Sequence, residues 1–225
     1  MFMTITSFHF LVFVAIALVI FYLLPKSWQW VGLLCMSLVF YHYAARTRTI
    51  IYPMISTFTA YVCTMGMERI REKQNASPKM INVLAAIALM VNIVLWFVFK
   101  GYEFWSAAIK GIERLGSTSL SGLLSVELVA ALGMGYYTLQ VIGYVLDCAW
   151  GTIKPQRNPL KLFLFVCFFP QLVTGPISQY SQLESLYEKH KFQYLNVTHG
   201  AQRILWGFFK KLVLAERVGI IVSGI

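Results

Sequence analysis

Apolar residues run along this chain in long blocks, separated by short polar breaks. The blocks cover residues 8–24, 30–45, 50–67, 80–99, 128–150, 162–177 and 203–225. Each is close to the ~20 residues that an α-helix needs to cross a bilayer. The pattern predicts an all-α fold: a polytopic transmembrane helical bundle, with residues 1–225 as a single membrane domain. Trp28 and Trp30 stand between the first two blocks, where an interfacial aromatic belt would put them. The first block lacks a basic leader and meets Pro25-Lys26 where a small-residue cleavage site would lie, so it is expected to be a span, not a signal peptide.

The breaks and the polar residues within the blocks refine this. Arg46 and Arg48 close the first hairpin, and Pro53 is expected to break the third span near its start. Ser56, Thr57, Thr59 and Thr64 give that span hydroxyls that can bond back to their own helix, so it should pack inward. Residues 68–79 (ERIREKQNASPK) form a strongly polar loop. Asn82 and Asn92 are candidate interhelical hydrogen-bonding residues on the fourth span. Residues 101–127 are mixed and read as a surface loop or interfacial helices. Gly133, Gly135 and Gly143 offer a close approach for neighbouring helices on the fifth. Residues 181–202 read as a polar connection, and the final block carries Lys210, Lys211, Glu216 and Arg217.

One stretch organises the rest. Leu162 to Tyr180 reads LFLFVCFFPQLVTGPISQY, an apolar run interrupted by Pro170 and then by Gly175-Pro176. A proline inside a helix removes a backbone donor and clashes with the preceding turn. Freed backbone groups in hydrocarbon survive only where they are packed against protein or line a wet cavity. The segment is therefore either a kinked span with an exit turn or a re-entrant wall.

Composition supports the membrane reading. Of 225 residues, 58% are hydrophobic and 12% charged, against about a quarter charged in soluble domains. A formal charge of +10 fits basic loops facing an anionic cytoplasmic leaflet, and no nucleic-acid motif is present. The short basic loops at 68–79 and 151–161 fall on one side if the spans alternate, which puts that side in the cytoplasm and the N-terminus outside. Cys35, Cys63, Cys148 and Cys167 are too far apart for a zinc or disulfide framework and read as buried small hydrophobes.

Candidate chemistry is sparse. Asp147, at the end of the fifth span, is an ionisable group at depth, or a turn cap paired with Lys154 or Arg157. His42 reads as an interfacial residue, His9 starts the first span, and His190 and His199 read as solvated. Lys210 and Lys211 either anchor the chain at the cytoplasmic face or neutralise an anionic donor. No paired carboxylates, nucleophile elbow or zinc-protease motif occurs, so the residues alone show no complete active site.

Three blocks in order resemble a known family. FFPQLVTGPISQY, then RILWGFFKKLVLAE, with LGMGYYTLQVIGYVLD upstream, resemble the membrane-bound O-acyltransferases. The likeness is to the bacterial branch that acylates cell-surface polymers such as alginate and teichoic acid. Gly133, Tyr137, Thr138, Gln140, Tyr144 and Asp147 stand in matching places, and FYLLPKSWQWVGLLCMSLVFYHY resembles the family's opening helical pair. Three positions depart from the pattern: Gly135 replaces a usual serine, Ala131 a frequent proline, and Gln179 a basic residue that commonly follows the Gly-Pro-Ile turn.

The resemblance implies transfer of an acyl group, acetyl by expectation, to hydroxyls of an exported polysaccharide. The donor would be a thioester, acyl-CoA or an acyl carrier protein, with no bound cofactor or metal. Pro170, Gln171, Gly175, Pro176 and Gln179 would shape a substrate tunnel, with Gln140 and Asp147 as polar struts and the lysine pair nearby. The family's catalytic histidine lies in a Trp-His segment downstream of the lysine-pair helix, and none of the four histidines here has that context. The expectation is therefore the N-terminal half of an acyltransferase core in the cell membrane, inactive alone. Its implied partners are the bilayer, the other half of the core, an acyl carrier protein and an extracytoplasmic acetyltransferase. The rival class is a non-enzymatic membrane module such as a small transporter, which also uses broken helices. Two inverted halves with matching breaks would favour it, and only one strong break is present.

Overall fold

A computed structural model describes residues 8–44, 47–72, 78–100, 133–174, 177–188, 190–215 and 217. Among these the chain is helical, without strands. The helices are α1 (Phe8–Leu23), α2 (Gln29–Ala44), α3 (Ile51–Arg71), α4 (Pro78–Lys100), α5 (Met134–Trp150), α6 (Pro159–Cys167), α7 (Phe169–Thr174), α8 (Tyr180–Leu183) and α9 (Tyr194–Phe209). Tight turns at Thr47–Ile50 and Glu184–Tyr187 flank α3 and α8, and α9 runs on into a wider π-helical turn at Lys210–Ala215. The expected mixed segment at 101–127 and the expected start of the fifth span at 128–132 lie outside the described residues.

The chain divides into two compact units. The larger runs over Trp30–Glu188 and contains the buried core. Its centre is α3, which packs on α4, α5 and α6. Small and hydroxylated residues make that contact possible: Ser56, Thr57, Ala60, Cys63, Thr64 and Met67 are all buried on α3. Thr57 and Thr64 donate to the carbonyls of Pro53 and Ala60, at 2.7 and 2.8 Å, so their hydroxyls enter the interface already satisfied. Ser56 instead donates across the interface to Asn92 Oδ1, while Asn92 Nδ2 returns to the Ala88 carbonyl at 2.8 Å. Asn92 is thus the interhelical link that the sequence suggested, whereas Asn82 is exposed.

Several boundaries differ from expectation for physical reasons. Pro53 does not break α3, because it lies in the first turn, where its missing N–H has no helical partner to lose. The polar stretch from Glu68 is not all loop. α3 continues to Arg71, with Glu68 paired to Arg157 at 3.2 Å and Arg71 donating to the Ala149 carbonyl. α5 begins at Met134, since Gly133 precedes it in left-handed geometry, with φ of 70°. Of the three glycines expected to admit close neighbours, only Gly133 does: a Cβ there would lie 2.7 Å from the Leu172 carbonyl oxygen, while at Gly135 and Gly143 it would meet nothing within 4 Å.

α4 is the one helix, among the described residues, both long and apolar enough to cross a membrane. It has 22 such residues, Pro78–Phe99, about 33 Å of helix. Only 17% of its most apolar stretch is buried, so it is no core helix of a soluble domain. The outward face carries Val83, Ile87, Met90, Ile93 and Phe97.

The smaller unit comprises Thr4–Gln29 and Lys189–Ile225. Gln29 is buried and holds the His190 backbone from both sides, donating to its carbonyl at 3.1 Å and accepting from its N–H at 3.0 Å. The His190 ring lies 5.9 Å from that of Phe21. His190 is therefore built into a contact, not solvated as the sequence suggested. The polar connection expected at 181–202 likewise contains α8, a tight turn and the first turns of α9. Cys63, Cys148 and Cys167 are buried as expected, but Cys35 is exposed.

Candidate functional site

The proline-broken stretch folds as a hairpin beside α5. It starts with a well-made helix N-terminus: the Asn158 side chain accepts from the N–H groups of Leu160 (2.9 Å) and Lys161 (3.4 Å), and Pro159 takes the first helical position. α6 then buries Leu162, Leu164, Phe165, Val166 and Cys167. It ends at Phe168, whose ψ of 111° is extended. The break precedes Pro170 because that ring would clash with the Val166 carbonyl if α6 continued. Pro170 instead sits in the first turn of α7, a short helix of six residues.

Protein groups satisfy the broken backbone. The Phe169 N–H donates to Ser37 Oγ of α2 at 3.4 Å, and the Gln171 N–H to the Phe168 carbonyl at 3.0 Å. The Phe169 ring packs on Phe40 at 5.7 Å. Leu172 lies directly against Gly133, where only a residue without a side chain fits. The break is thus packed between α2 and the start of α5.

The chain then returns. Gly175 and Pro176 lie outside the described residues, so their expected wall role has no geometry here. Residues 177–179 are non-helical and lead into α8. Tyr180 is buried, with its ring 5.1 Å from Tyr144 and 5.3 Å from Phe165. Its hydroxyl accepts from Gln156 Nε2 at 2.7 Å, and Tyr187 donates to the Lys161 carbonyl at 2.8 Å. Residues 180–187 therefore meet residues 156–161, so the segment starts and finishes at the same end of α5. That favours the turning-back alternative over a kinked span. Burial pushes the Tyr180 phenol up to about 12 and raises that of Tyr187 as well.

A polar chain crosses the hairpin. Gln140 of α5 donates through Nε2 to Gln171 Oε1, and Gln171 Nε2 donates to Ser178 Oγ at 2.6 Å. Gln140 and Gln171 are both buried. Gln171 thereby holds α5 with its acceptor and the returning segment at 177–179 with its donor. One turn before Gln140, the buried Tyr137 hydroxyl has no hydrogen-bond partner among the described residues. Such an orphan is costly in a folded protein.

The remaining expected site residues are not gathered here. Asp147 is half-buried near the end of α5, where its backbone carbonyl accepts from the Thr152 N–H at 2.9 Å and closes the turn. Its suggested partner Arg157 pairs instead with Glu68 (3.2 Å) and Glu72 (3.9 Å). Gln179 is exposed, with its N–H donating to Gln182 Oε1 at 3.3 Å as the start of α8. Lys210 and Lys211 belong to the smaller unit and are exposed in the π-helical turn, with Lys210 Nζ 5.6 Å over the Trp206 ring. His9, His42 and His199 are exposed. No group of three or more metal-binding side chains occurs among the described residues. Ser178, Gln156 and Tyr187 were not singled out from sequence. The only available signal was the seven-residue spacing of Tyr180 and Tyr187, which is weak alone.

The chain has relatives among known proteins. The chain's curated homologues are bacterial enzymes of polymer acylation, and the resemblance to membrane-bound O-acyltransferases holds at about 22% identity over 94% of the chain. The probable alginate O-acetylase AlgI of Pseudomonas putida is 22% identical over 215 residues, 94% of this chain and 42% of that protein. A peptidoglycan O-acetyltransferase of Helicobacter pylori is 26% identical over 221 residues, 86% of this chain and 39% of that protein. A teichoic acid D-alanyltransferase of Bacillus subtilis is 25% identical over 131 residues, 53% of this chain and 33% of that protein. The chain thus spans well under half the length of the curated relatives it matches. No family model and no solved structure matches it.

Proposed function

We propose that this chain is the membrane-embedded front part of an O-acyltransferase that acylates hydroxyls of an exported polysaccharide. The observation that carries the reading is the hairpin at 159–180: a protein-packed break crossed by a buried amide chain, in a sequence whose curated homologues are polymer acyltransferases. Non-helical backbone at membrane depth is tolerated where it is buried in protein or lines a wet cavity. The hairpin then forms one wall of a passage through which donor and acceptor meet.

The reaction is transfer of acetyl from a thioester, carried by coenzyme A or an acyl carrier protein. The acceptor oxygen attacks the thioester carbonyl, the carbon–sulfur bond breaks, and the hydroxyl proton passes through a base to the departing thiolate. That base is a histidine supplied by the part of the family core that residues 1–225 do not cover. Gln140 and Gln171 position the wall, with Asp147 as a further polar strut and Pro170 shaping its bend. The protein sits in the cell membrane in several passes with its N-terminus outside, and works with an extracytoplasmic acetyltransferase.

Acyl transfer from a labelled acetyl thioester to polysaccharide, measured in membranes, tests this. Residues 1–225 alone should give no turnover, and the same residues joined to the rest of the family core should give transfer. Multiple turnovers by residues 1–225, dependent on one of His9, His42, His190 or His199, would overturn the division of roles. A single cysteine at Thr152 should label from the cytoplasmic side.

A further inference from the structure

At the closed end of the hairpin, a polar cleft of about 440 Å³ is lined by Glu68, Lys154, Gln156, Arg157, Tyr180 and Glu184, all within the larger unit. Two of its charges already satisfy each other, since Arg157 pairs with Glu68 at 3.2 Å. The adjoining cavity adds Arg71 and Glu72, which are held by the Ala149 carbonyl and by Arg157. Lys154 and Glu184 are exposed and form no ion pair among the described residues. Tyr180 is the buried member of the lining, at 3% exposure. Gln156 Oε1 accepts from the Asn158 N–H at 3.1 Å, which leaves Nε2 for the phenol and makes the Tyr180 oxygen the acceptor of their 2.7 Å bond. The phenol's own O–H is therefore left over, and no acceptor among the described residues takes it. Because Tyr180 lines the cleft, a ligand oxygen there can accept that hydrogen and remove the cost of an unmatched buried donor.

We propose that this cleft binds a zwitterion made of a phosphate ester and a primary ammonium, the chemistry of the phosphoethanolamine group. The cleft offers one unpaired cation, one unpaired carboxylate and one buried O–H donor. A lone anion would gain Lys154 but face Glu184, and a lone cation would meet the reverse, so a single charge gains from one side what it loses on the other. A phosphate ester that pairs with Lys154 and accepts from Tyr180 makes a charge-assisted hydrogen bond at the buried end. The ammonium beside it then donates to Glu184. Each exposed pair is weak alone, so the phenol bond orients the group and the pairs select it. The same zwitterion exists free in solution and as a phospholipid headgroup. Lys154 follows the end of α5 by four residues, which is headgroup level if α5 spans. The headgroup is therefore the expected source; that source rests on the membrane placement proposed above, whereas the cleft itself does not.

The test is equilibrium dialysis of the full chain, in a detergent without phosphate, against radiolabelled glycerophosphoethanolamine, which carries the headgroup's diester and ammonium on a soluble backbone. Binding should be saturable. Glycerol phosphate and ethanolamine each lack one charge, and glycerophosphocholine has a quaternary ammonium with no N–H to donate, so each should compete about tenfold less well than the unlabelled probe. Lys154→Gln and Glu184→Gln alter exposed side chains and should each weaken binding about two- to fivefold. Tyr180→Phe should weaken it about tenfold, and Glu188→Gln, an exposed carboxylate outside the cleft lining, should leave it unchanged. In nanodiscs, phosphatidylethanolamine should displace the probe and phosphatidylcholine should not. Absence of saturable binding, equal competition by glycerol phosphate, or full affinity in both Lys154→Gln and Glu184→Gln would overturn the zwitterion site, with the acyl-transfer reading untouched. Failure of phosphatidylethanolamine to displace a probe that binds as described would overturn the lipid source and leave the free zwitterion as the occupant.

Discussion

Pro53 and Pro170 both stand in the first turn of a helix, yet α3 runs for 21 residues and α7 stops after six. The difference lies in what precedes each proline. Before Pro53 the chain turns tightly at Thr47–Ile50, and the helix simply begins. Ahead of Pro170 stands α6, already helical and buried, so beginning again requires a break at Phe168. The two regions also differ in how they satisfy backbone and side-chain polar groups. The three threonine hydroxyls of α3 return to their own helix, whereas the α6–α7 break depends on Ser37 from α2, space at Gly133 from α5, and the amide chain through Gln140. A self-satisfied helix can be read and altered locally, while the hairpin is a joint product of three helices.

The largest effect should come from Gly133→Ala. The new methyl would face both an unfavourable left-handed backbone and a carbonyl oxygen 2.7 Å away. Left-handed geometry costs about 1–2 kcal/mol and overpacking about 1–3 kcal/mol, so a loss of about 2–5 kcal/mol is expected. Thermal unfolding in detergent should show it as a large drop in Tm. Gly143→Ala, with open space at the same helix, should be neutral or slightly stabilising, because alanine favours the helix by about 0.8–1 kcal/mol. Equal behaviour of the two variants would mean that Gly133 and Leu172 are not in contact.

Next comes Gln171→Leu, which removes the acceptor for Gln140 and the donor to Ser178 in one step. A buried amide left without its partner costs about 1–3 kcal/mol. Replacing Gln140 as well removes the stranded group, so the double variant should be less damaged than the two single losses added together. A double-mutant cycle on denaturant midpoints reads this coupling directly. Strict additivity would show that the two side chains do not meet.

How far the sequence carries follows the same division. The limits of α1, α2 and α4 fall within two residues of the apolar blocks at 8–24, 30–45 and 80–99, because composition alone ends those helices. The extension of α3 through Arg71 was hidden, since Glu68 and Arg71 look like loop residues until Arg157 and the Ala149 carbonyl are found beside them. The return of the hairpin was hidden for a related reason. It is fixed by Gln156 with Tyr180 and by Lys161 with Tyr187, pairs 24 and 26 residues apart that leave no periodic trace. The resemblance motif pointed to Gln140 and Gln171, but only the fold joins them to each other and to Ser178.

The closed end of that return gives a pH-dependent prediction. Burial holds the Tyr180 phenol neutral up to about 12 in the folded protein, whereas an unfolded tyrosine ionises near 10. The folded state therefore keeps the proton more tightly, and this contribution is complete below pH 10 and lost as pH rises from 10 towards 12. Tyr180→Phe should cost about 1 kcal/mol at neutral pH through the lost Gln156 bond, and should flatten the alkaline decline. Tyr187, raised in the same direction, would supply the slope that remains. Unfolding midpoints across this range would contradict the prediction if the variant declined as steeply as the parent.

The smallest effect separates the two regions most cleanly, because it compares hydroxyls that differ only in whom they serve. Thr59 Oγ1 donates to the Ile55 carbonyl of its own helix at 2.9 Å, on the outer side of α3. That carbonyl already takes part in the helix ladder, so the bond relieves no orphan, and bonds of this kind are neutral to slightly unfavourable for a helix. Thr59→Ala should change stability by less than about 0.5 kcal/mol. Ser37 Oγ also donates back, to Leu33 at 2.8 Å, but in addition accepts the Phe169 N–H that the break sets free. With alanine at 37 the bond that the serine supplies to that N–H is lost, and a loss of about 1 kcal/mol is expected. Hydrogen exchange adds a local reading: protection of the Phe169 amide should fall in Ser37→Ala, while amides around Ile55 should stay protected in Thr59→Ala. If the Phe169 amide remained as protected without the serine as with it, the break would be satisfied from elsewhere, and α2 would have no part in holding the hairpin.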